Sequence, residues 1–170
     1  IRLSLVGSEM CKETGLLYEE YVDRIYNYIY YRTGNHHDAE DLTAKVFIQA
    51  LKHISRYVDR GAPFSAWLYR IAHNLVANWH RDRSRRKVVS LDQVAMMHSR
   101  DEPGPFERAA RSERWGTLLA AIRRLPDDRQ QLLILKFVER MPNAEIGDVM
   151  GRSEGAIKSL YHRTLVALRS

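Results

Sequence analysis

A dense run of cations follows a stretch rich in amides and aromatic residues in the first half of the chain. The run contains Arg81, Arg83, Arg85, Arg86 and Lys87. Clustered cations suit phosphate oxygens, whereas the amides of Asn74 and Asn78 can exchange hydrogen bonds with the edges of bases, especially unpaired ones. These residue types predict contact with nucleic acid. A solvated helix end is the simpler alternative for the basic run taken alone.

The last third of the chain has the spacing of a helix-turn-helix. The segment NAEIGDVMGRSEGAIKSLYHRT begins at Asn143, and its apolar positions are Ile146, Met150, Ile157 and Leu160. Gly147 suits a close crossing of two helices, and Gly151 suits a turn with positive φ. With Ser153 as the N-cap, the second helix would turn a polar face outward, and that face could reach a major groove. An ordinary helical hairpin with a solvated basic face is the alternative.

Helical periodicity predicts the elements that carry the first motif. We expect three helices, over residues 15–32, from an N-cap at Asp38, and from Phe64 after the breaker segment 59–63. The predicted core positions are Leu17, Tyr21, Ile25, Tyr28 and Ile29 in the first helix, Leu42, Val46, Phe47, Ala50, Leu51 and Ile54 in the second, and Phe64, Trp67, Leu68, Ile71, Ala72, Leu75 and Trp79 in the third. The opposite face of the third helix then carries Tyr69, Arg70, His73, Asn74, Ala77 and Arg81.

Helical periodicity stops between residues 88 and 113, where Pro103, Gly104 and Pro105 stand among acidic and small residues. Such a segment is typical of a flexible linker. Helices resume at Trp115, again after Pro126, and again after Pro142. No run alternates like a strand, so we predict an all-α chain of two small helical domains joined by this linker.

Composition excludes some classes and leaves nucleic acid open. The chain has 170 residues, a net charge of +6 and a single cysteine, with a pI of about 9.6. No apolar run approaches the roughly 20 residues of a membrane-spanning helix. One cysteine, Cys11, permits no internal disulfide, which fits a reducing compartment, and we expect the cytoplasm. Residues 1–10 do not resemble a signal peptide.

Three segments together resemble the extracytoplasmic-function (ECF) sigma factors of the bacterial sigma-70 family. They are YEEYVDRIYNYIYYRTGNHHDAEDLTAKVF, FSAWLYRIAHNLVANWHR and EIGDVMGRSEGAIKSLYHRTLVAL, in this order. The resemblance covers residues 16–168. It implies a sigma-2 domain (1–87) that binds core RNA polymerase and the minus-ten element, a linker (88–113), and a sigma-4 domain (114–170) that places the helix-turn-helix on the minus-thirty-five element.

The resemblance also implies site residues and partners. The minus-ten reader would include the loop 56–63, and its residues are Arg56, Arg60, Tyr69, Arg70, His73, Asn74, Asn78, Arg81, Arg83, Arg85 and Arg86. The minus-thirty-five reader would be Arg152, Ser153, Lys158, Ser159, His162 and Arg163. The polymerase clamp would contact Asp38, Glu40, Asp41 and Gln49. The partners would be the clamp and flap of core polymerase, promoter DNA and, as a further candidate, an anti-sigma factor, with no cofactor, metal or membrane insertion.

One departure from the family pattern lies in the predicted clamp surface. After DAEDL the family usually carries a Gln-Glu type pair, and this chain has Ala44 and Lys45. The exchange replaces an acidic contact with a basic one.

Two rival functions stay open. A helix-turn-helix regulator could bind duplex DNA without polymerase, although such proteins usually need a dimer, and no heptad seam is present. A metal-dependent nuclease could use His36, His37, Asp38, Glu40 and Asp41. Helix capping and the preference for acids in a first helical turn account for Asp38 and Asp41 without a metal, and the sigma-factor interpretation needs no catalytic residue.

Overall fold

The computed structural model describes residues 7–89 and 113–169, with side chains from 15 to 85 and from 117 to 169. All regular elements in this part of the chain are helical. The predicted linker lies almost entirely outside the described residues.

Within residues 7–89 the structure has three α-helices that pack on one another. They are α1 (Gly7–Thr33), α2 (His36–His53) and α3 (Phe64–Val89), with a 3₁₀ turn (Ile54–Arg56) after α2. Helix α1 begins eight residues before the predicted start at Gly15. The predicted N-cap of α2 was wrong, because Asn35 caps the helix by accepting a hydrogen bond from the Asp38 amide at 2.9 Å. An extended Asn35 can turn its side chain to the first free amides of the helix.

Residues 113–169 contain four α-helices. They are α4 (Glu113–Arg123), α5 (Asp127–Leu133), α6 (Asn143–Met150) and α7 (Glu154–Arg169). Helix α5 continues into one π-helical turn, Ile134–Val138. In this turn the Glu139 amide donates a hydrogen bond to the Ile134 carbonyl, five residues earlier, and the Met141 amide then donates one to the Leu135 carbonyl.

The buried stripe of α3 is rotated from the predicted one. Buried positions are Ala66, Leu68, Tyr69, Ala72 and Val76, whereas Trp67, Ile71, Leu75 and Trp79 are only half-buried. The outward placement of Tyr69 was therefore wrong. In α2 the predicted Leu42, Val46 and Ala50 are buried, but Leu51 is 47% exposed.

The two halves pack directly against each other. Helix α3 contacts α6, and α1 contacts the π-helical turn. Buried residues of both halves, such as Ile25 and Tyr28 with Leu132 and Ile146, belong to one apolar cluster. The sequence predicted two tethered domains but did not predict this packing, which decides which site residues are accessible.

Candidate nucleic-acid interface

Helices α6 and α7 form the helix-turn-helix that the sequence predicted. Gly147 lies where the helices cross, because an added Cβ would stand 2.6 Å from the Arg152 carbonyl oxygen. Gly151 ends α6 with φ 66° and ψ 35°, in the left-handed region. The Ser153 side chain then caps α7 by accepting a hydrogen bond from the Ala156 amide at 3.2 Å. Local backbone requirements at three positions therefore set the motif.

The predicted outward face of α7 is exposed. Ile157 and Leu160 are buried against the rest of the second half, and Lys158, Ser159, His162 and Arg163 are exposed. Lys158 pairs with Glu154 at 2.8 Å, one helical turn earlier. The Arg163 Nε bonds the Ser159 carbonyl at 3.4 Å. On this face Lys158 therefore has a carboxylate partner, whereas Arg163 has none among the described residues.

Arg152 and Ser153 directly precede α7. Arg152 is held toward α5 by an ion pair with Asp128 at 3.3 Å. Arg152 and Ser153 are both exposed.

The loop between α2 and α3 forms an open cavity of about 220 Å³. Its lining joins aromatic and cationic side chains, including Arg56, Tyr57, Arg60, Trp67 and Arg70. The Tyr57 ring meets the Trp67 ring at 5.0 Å and the Phe64 ring at 5.2 Å. Planar rings beside guanidinium groups suit an unstacked base and its phosphate. Sequence reasoning placed Trp67 in the core and did not single out Tyr57; the aromatic spacing Tyr57, Phe64 and Trp67 was the available signal.

A tight turn gives the cavity its shape. Gly61 has φ 82° and donates its amide hydrogen to Asp59 Oδ1 at 2.9 Å. A residue with a Cβ would be strained at this φ. The turn brings Arg60 back toward the start of α3.

Most of the polar residues predicted on α3 lie on one exposed face. Its members are Arg70, Asn74, Asn78, Arg81 and Arg85. Arg83 is also exposed but lies on another side of α3, 3.6 Å from Asp38, and the Arg86 side chain lies outside the described part. Arg81 donates a hydrogen bond to Asn78 Oδ1. Arg70 uses its guanidinium to bond the Asp148 carbonyl in α6, with Nε at 3.1 Å. Arg70 lines the cavity, and Asn74 follows it by one helical turn. Of the two exposed amides on this face, Asn74 is therefore closer along α3 to the cavity than Asn78.

Tyr69 does not belong to this face. Its side chain is buried, and its hydroxyl donates a hydrogen bond of 2.6 Å to Glu139 Oε2. Arg24 Nε approaches the same oxygen at 3.4 Å, and the Glu139 side chain is only 4% exposed. Burial raises the pKa of Glu139, while the Tyr69 bond and the Arg24 charge oppose the rise. Burial and the nearby Glu139 carboxylate also raise the pKa of Tyr69.

His73 is likewise engaged between the halves. Arg32 donates a hydrogen bond to His73 Nδ1 at 2.8 Å, and His73 Nε2 lies 3.5 Å from Asp127 Oδ2. Burial, followed by the Arg32 charge, lowers the pKa of His73 to about 4. A neutral imidazole fits this geometry, with Nδ1 as acceptor and Nε2–H directed to the carboxylate. His73 therefore spans the contact between the halves, contrary to the predicted open face.

The predicted clamp residues share α2. Glu40, Asp41 and Gln49 are exposed, and Asp38 is half-buried, with Arg83 at 3.6 Å. Two large apolar residues interrupt this polar face, Ile48 at 51% and Leu51 at 47% exposure. Sequence reasoning passed over Ile48 and assigned Leu51 to the core. Ala44 and Lys45 are exposed on the same helix.

The residues proposed for a metal-dependent nuclease make other contacts. His36 Nε2 lies 3.1 Å from Glu40 Oε1, and its Nδ1 hydrogen-bonds the Tyr26 hydroxyl. Among residues 7–89 and 113–169, His, Cys, Asp and Glu side chains form no group of three suited to a metal ion. Within the same ranges no helix combines the length and the apolar character that crossing a bilayer requires.

Family models match both halves of the chain. Sigma-70 region 2 matches residues 17–86, and Sigma-70 region 4 matches residues 116–168. The first match covers α1 to α3 with the loop cavity, and the second covers the helix-turn-helix.

Curated relatives and solved structures agree with these matches. The ECF RNA polymerase sigma factor BldN of Streptomyces coelicolor is 39% identical over 91% of this chain and 58% of its own length. SigW of Bacillus subtilis, also an ECF RNA polymerase sigma factor, is 34% identical over 88% of this chain and 83% of its own. The chain thus spans less than two thirds of BldN. In fold it is similar to the sigma factor RpoE of Bartonella quintana, solved with the anti-sigma factor NepR, at TM-score 0.70 and 21% identity over 93% of this chain and 95% of that one. The chain belongs to the sigma-70 family, in its ECF group of RNA polymerase sigma factors.

Proposed function

We propose that this protein binds core RNA polymerase and directs it to promoters, reading duplex DNA with α7 and capturing an unpaired base with the loop cavity. The observation that carries the proposal is that one chain has two different reading surfaces. An exposed recognition helix suits a major groove, and an aromatic cavity lined by arginines suits a single strand. A duplex-binding regulator would need only the first.

The proposed minus-thirty-five reader is the face formed by Lys158, Ser159, His162 and Arg163. Arginine can make a bidentate contact with guanine in the major groove. Since Lys158 already pairs with Glu154, Arg163 would contribute more to discrimination between sequences. Arg152 and Ser153 would contact the backbone at the start of the helix.

The proposed minus-ten reader combines the loop cavity with the exposed amides of α3. A base extruded from the duplex would stack near Tyr57 and Trp67, and Asn74 would reach its edge. Unstacking costs a few kcal/mol, which cavity contacts and polymerase must offset. Arg81, Arg83 and Arg85 would hold backbone phosphates.

Polymerase contact would use two surfaces that expose apolar side chains. On α2, Ile48 and Leu51 stand among Glu40, Asp41 and Gln49 and would face the clamp. In the second half, Phe137 is 57% exposed and its ring meets that of Tyr161. Leu165 and Leu168 follow Tyr161 at helical spacing and are also exposed. This apolar surface would face the flap, since exposed apolar patches often mark protein interfaces.

The proposed activity requires the two halves to separate. Arg70 lines the loop cavity and also bonds the Asp148 carbonyl in α6. Ser65 donates a hydrogen bond to Glu145 at 3.2 Å, beside the same cavity. Strand capture would break these contacts, and binding to polymerase would supply the compensating free energy. The protein would act in the cytoplasm without catalysing a reaction itself, and an anti-sigma factor stays a prediction from the resemblance.

The test is run-off transcription with purified core polymerase and a promoter selected from the protein's own genome. We expect transcripts only when the protein is present. Asn74→Ala should reduce promoter opening, whereas Arg163→Ala should reduce promoter selection. An exposed substitution away from both surfaces, Arg124→Ala, is the control.

The same experiment separates the rival function. A regulator that works without polymerase would bind the duplex promoter but add no transcripts to core polymerase. That result, with no protein-polymerase complex on gel filtration, would contradict the proposal.

A further inference from the structure

A cavity of about 250 Å³ lies in the seam between the two halves and shares Arg83 with the proposed minus-ten reader. We call it the seam cavity. Its polar lining comes from Arg32, Thr33, His80, Arg83 and Ser84 in the first half and from Arg123 and Gln130 in the second. Aspartate and glutamate are missing from the residues that line it. Arg83 and Arg123 bring two exposed guanidinium groups to this cavity, and like charges repel one another unless a carboxylate or a bound anion offsets them.

The charges around the seam cavity leave a positive surplus. Arg32 is paired with Asp127, and Arg83 lies 3.6 Å from Asp38. Arg123 forms no ion pair with a carboxylate among the described residues. Arg32 is completely buried as a side chain, and its Nε has no hydrogen-bond partner in the described part. Because the Arg32 side chain has no exposed surface, it cannot contact an anion in the cavity, and the surplus charge there comes from Arg123.

The backbone of the first half positions Arg123. Its guanidinium lies over Gly34, where an added Cβ would stand 2.7 Å from the Arg123 Cζ. Arg123 Nε also bonds the Tyr31 carbonyl at 3.4 Å. The arginine is therefore held at the seam by a glycine and a carbonyl, which leaves its charge available to the cavity.

We propose that the seam cavity binds a small phosphate-bearing anion of about diphosphate size. Guanidinium groups bind phosphate oxygens through charge-assisted hydrogen bonds, and the Ser84 hydroxyl adds a neutral donor. His80, whose pKa burial and the Arg32 and Arg83 charges lower, would meet the anion as a neutral ring. Because both halves line the cavity, the bound anion would stabilise the packed arrangement described above.

Isothermal titration calorimetry with pyrophosphate at constant ionic strength tests the proposal on the full chain. We expect saturable binding at one site and a rise in melting temperature with pyrophosphate concentration. Arg123→Gln should weaken binding by about tenfold, as the loss of one charge-assisted contact implies. Arg124→Gln is the matched control, because it removes the same charge from the next residue, which is exposed and does not line the cavity. The control should bind as the original protein does.

Arg83→Gln gives a second variant, should Arg123→Gln fail to fold, and it should weaken binding in the same direction. Equal weakening by Arg123→Gln and Arg124→Gln would show general charge attraction and overturn the site. Absence of pyrophosphate binding, or equal binding of sulfate, would also overturn it, the latter as an adventitious ion only. Phosphate groups of the DNA backbone could bind to the same guanidinium groups in place of a small anion. If Arg123→Gln weakens binding to random duplex DNA more than Arg124→Gln does, while pyrophosphate does not bind, the cavity serves DNA and the proposal fails.

Discussion

The Tyr69 hydroxyl donates a hydrogen bond of 2.6 Å to Glu139 Oε2, joining α3 to the segment that follows the π-helical turn. Both side chains are almost fully removed from solvent. A buried carboxylate needs such donors, because its desolvation is costly. Through this bond Tyr69 helps to hold the two halves of the chain together.

Tyr69→Phe should lower the free energy of unfolding by about 1–3 kcal/mol, because Glu139 loses a donor while remaining buried. Urea denaturation followed by circular dichroism measures this change. Tyr18→Phe is the control, since Tyr18 is exposed, and it should change stability by less than about 0.5 kcal/mol. Equal stability of the Tyr69 and Tyr18 variants would contradict a structural role for the bond.

Asn74→Ala should weaken binding to single-stranded minus-ten DNA by about tenfold, the worth of one hydrogen bond to a base edge. Its side chain is exposed, so the melting temperature should stay nearly unchanged. Fluorescence anisotropy with labelled DNA and the protein bound to core polymerase measures binding, and the same sequence as a duplex is the control. A steep fall in melting temperature with strand capture intact in the folded fraction would make Asn74 a structural residue instead.

Arg163→Ala should reduce the preference for the cognate minus-thirty-five element over scrambled DNA by about 1–3 kcal/mol, as expected for a bidentate base contact. Lys158→Ala should have a smaller effect, because Glu154 already holds Lys158 at 2.8 Å. Neutralising Arg83, Arg85 and Arg86 is the control, which should lower affinity and the salt slope without changing the preference. Binding would be measured on both DNAs at several salt concentrations. If the Lys158 and Arg163 variants kept the full preference for the cognate element over scrambled DNA, the surface that reads the sequence would lie elsewhere.

Gly147→Ala should destabilise the helix-turn-helix by about 1–3 kcal/mol, the usual cost of overpacking. The new Cβ would stand 2.6 Å from the Arg152 carbonyl oxygen. Because this atom belongs to the backbone, it cannot move aside as the end of a flexible side chain could. Gly155→Ala is the matched control, because a Cβ there has no atom within 4 Å and lies inside α7. It should stabilise the protein slightly through helix propensity. Thermal unfolding of the two variants distinguishes them, and similar melting temperatures would contradict the close crossing.

Acid should weaken the packing through His73. Its pKa is lowered from 6.5 to about 4 in the folded protein, so the unfolded chain binds the extra proton between those values. The free energy of unfolding should then fall by about 1 kcal/mol more in the original protein than in His73→Gln between pH 7 and pH 5.5. Glu139, whose pKa burial raises, acts in the opposite direction and is present in both proteins. Denaturation at the two pH values measures the difference, and identical losses would show that His73 titrates normally.

The helix-turn-helix could be predicted from sequence because its requirements are local. Gly147, Gly151 and Ser153 meet a close crossing, a positive φ and a helix cap within seven residues. The outward positions of Lys158 and Arg163 then follow from helical spacing alone. The resemblance of both halves to the sigma-70 family could also be recognised from sequence, because each motif is a continuous segment. The family models confirmed it.

The accessible face of α3 could not be predicted in this way. Periodicity identifies one buried stripe, which is correct when a helix packs on one side. In this protein α1 and α2 cover one side of α3, and α6 covers another. Tyr69 is therefore buried by Glu139, which lies 70 residues away in the chain. Only the tertiary structure decides such a contact, because its stability depends on partners that local spacing does not specify.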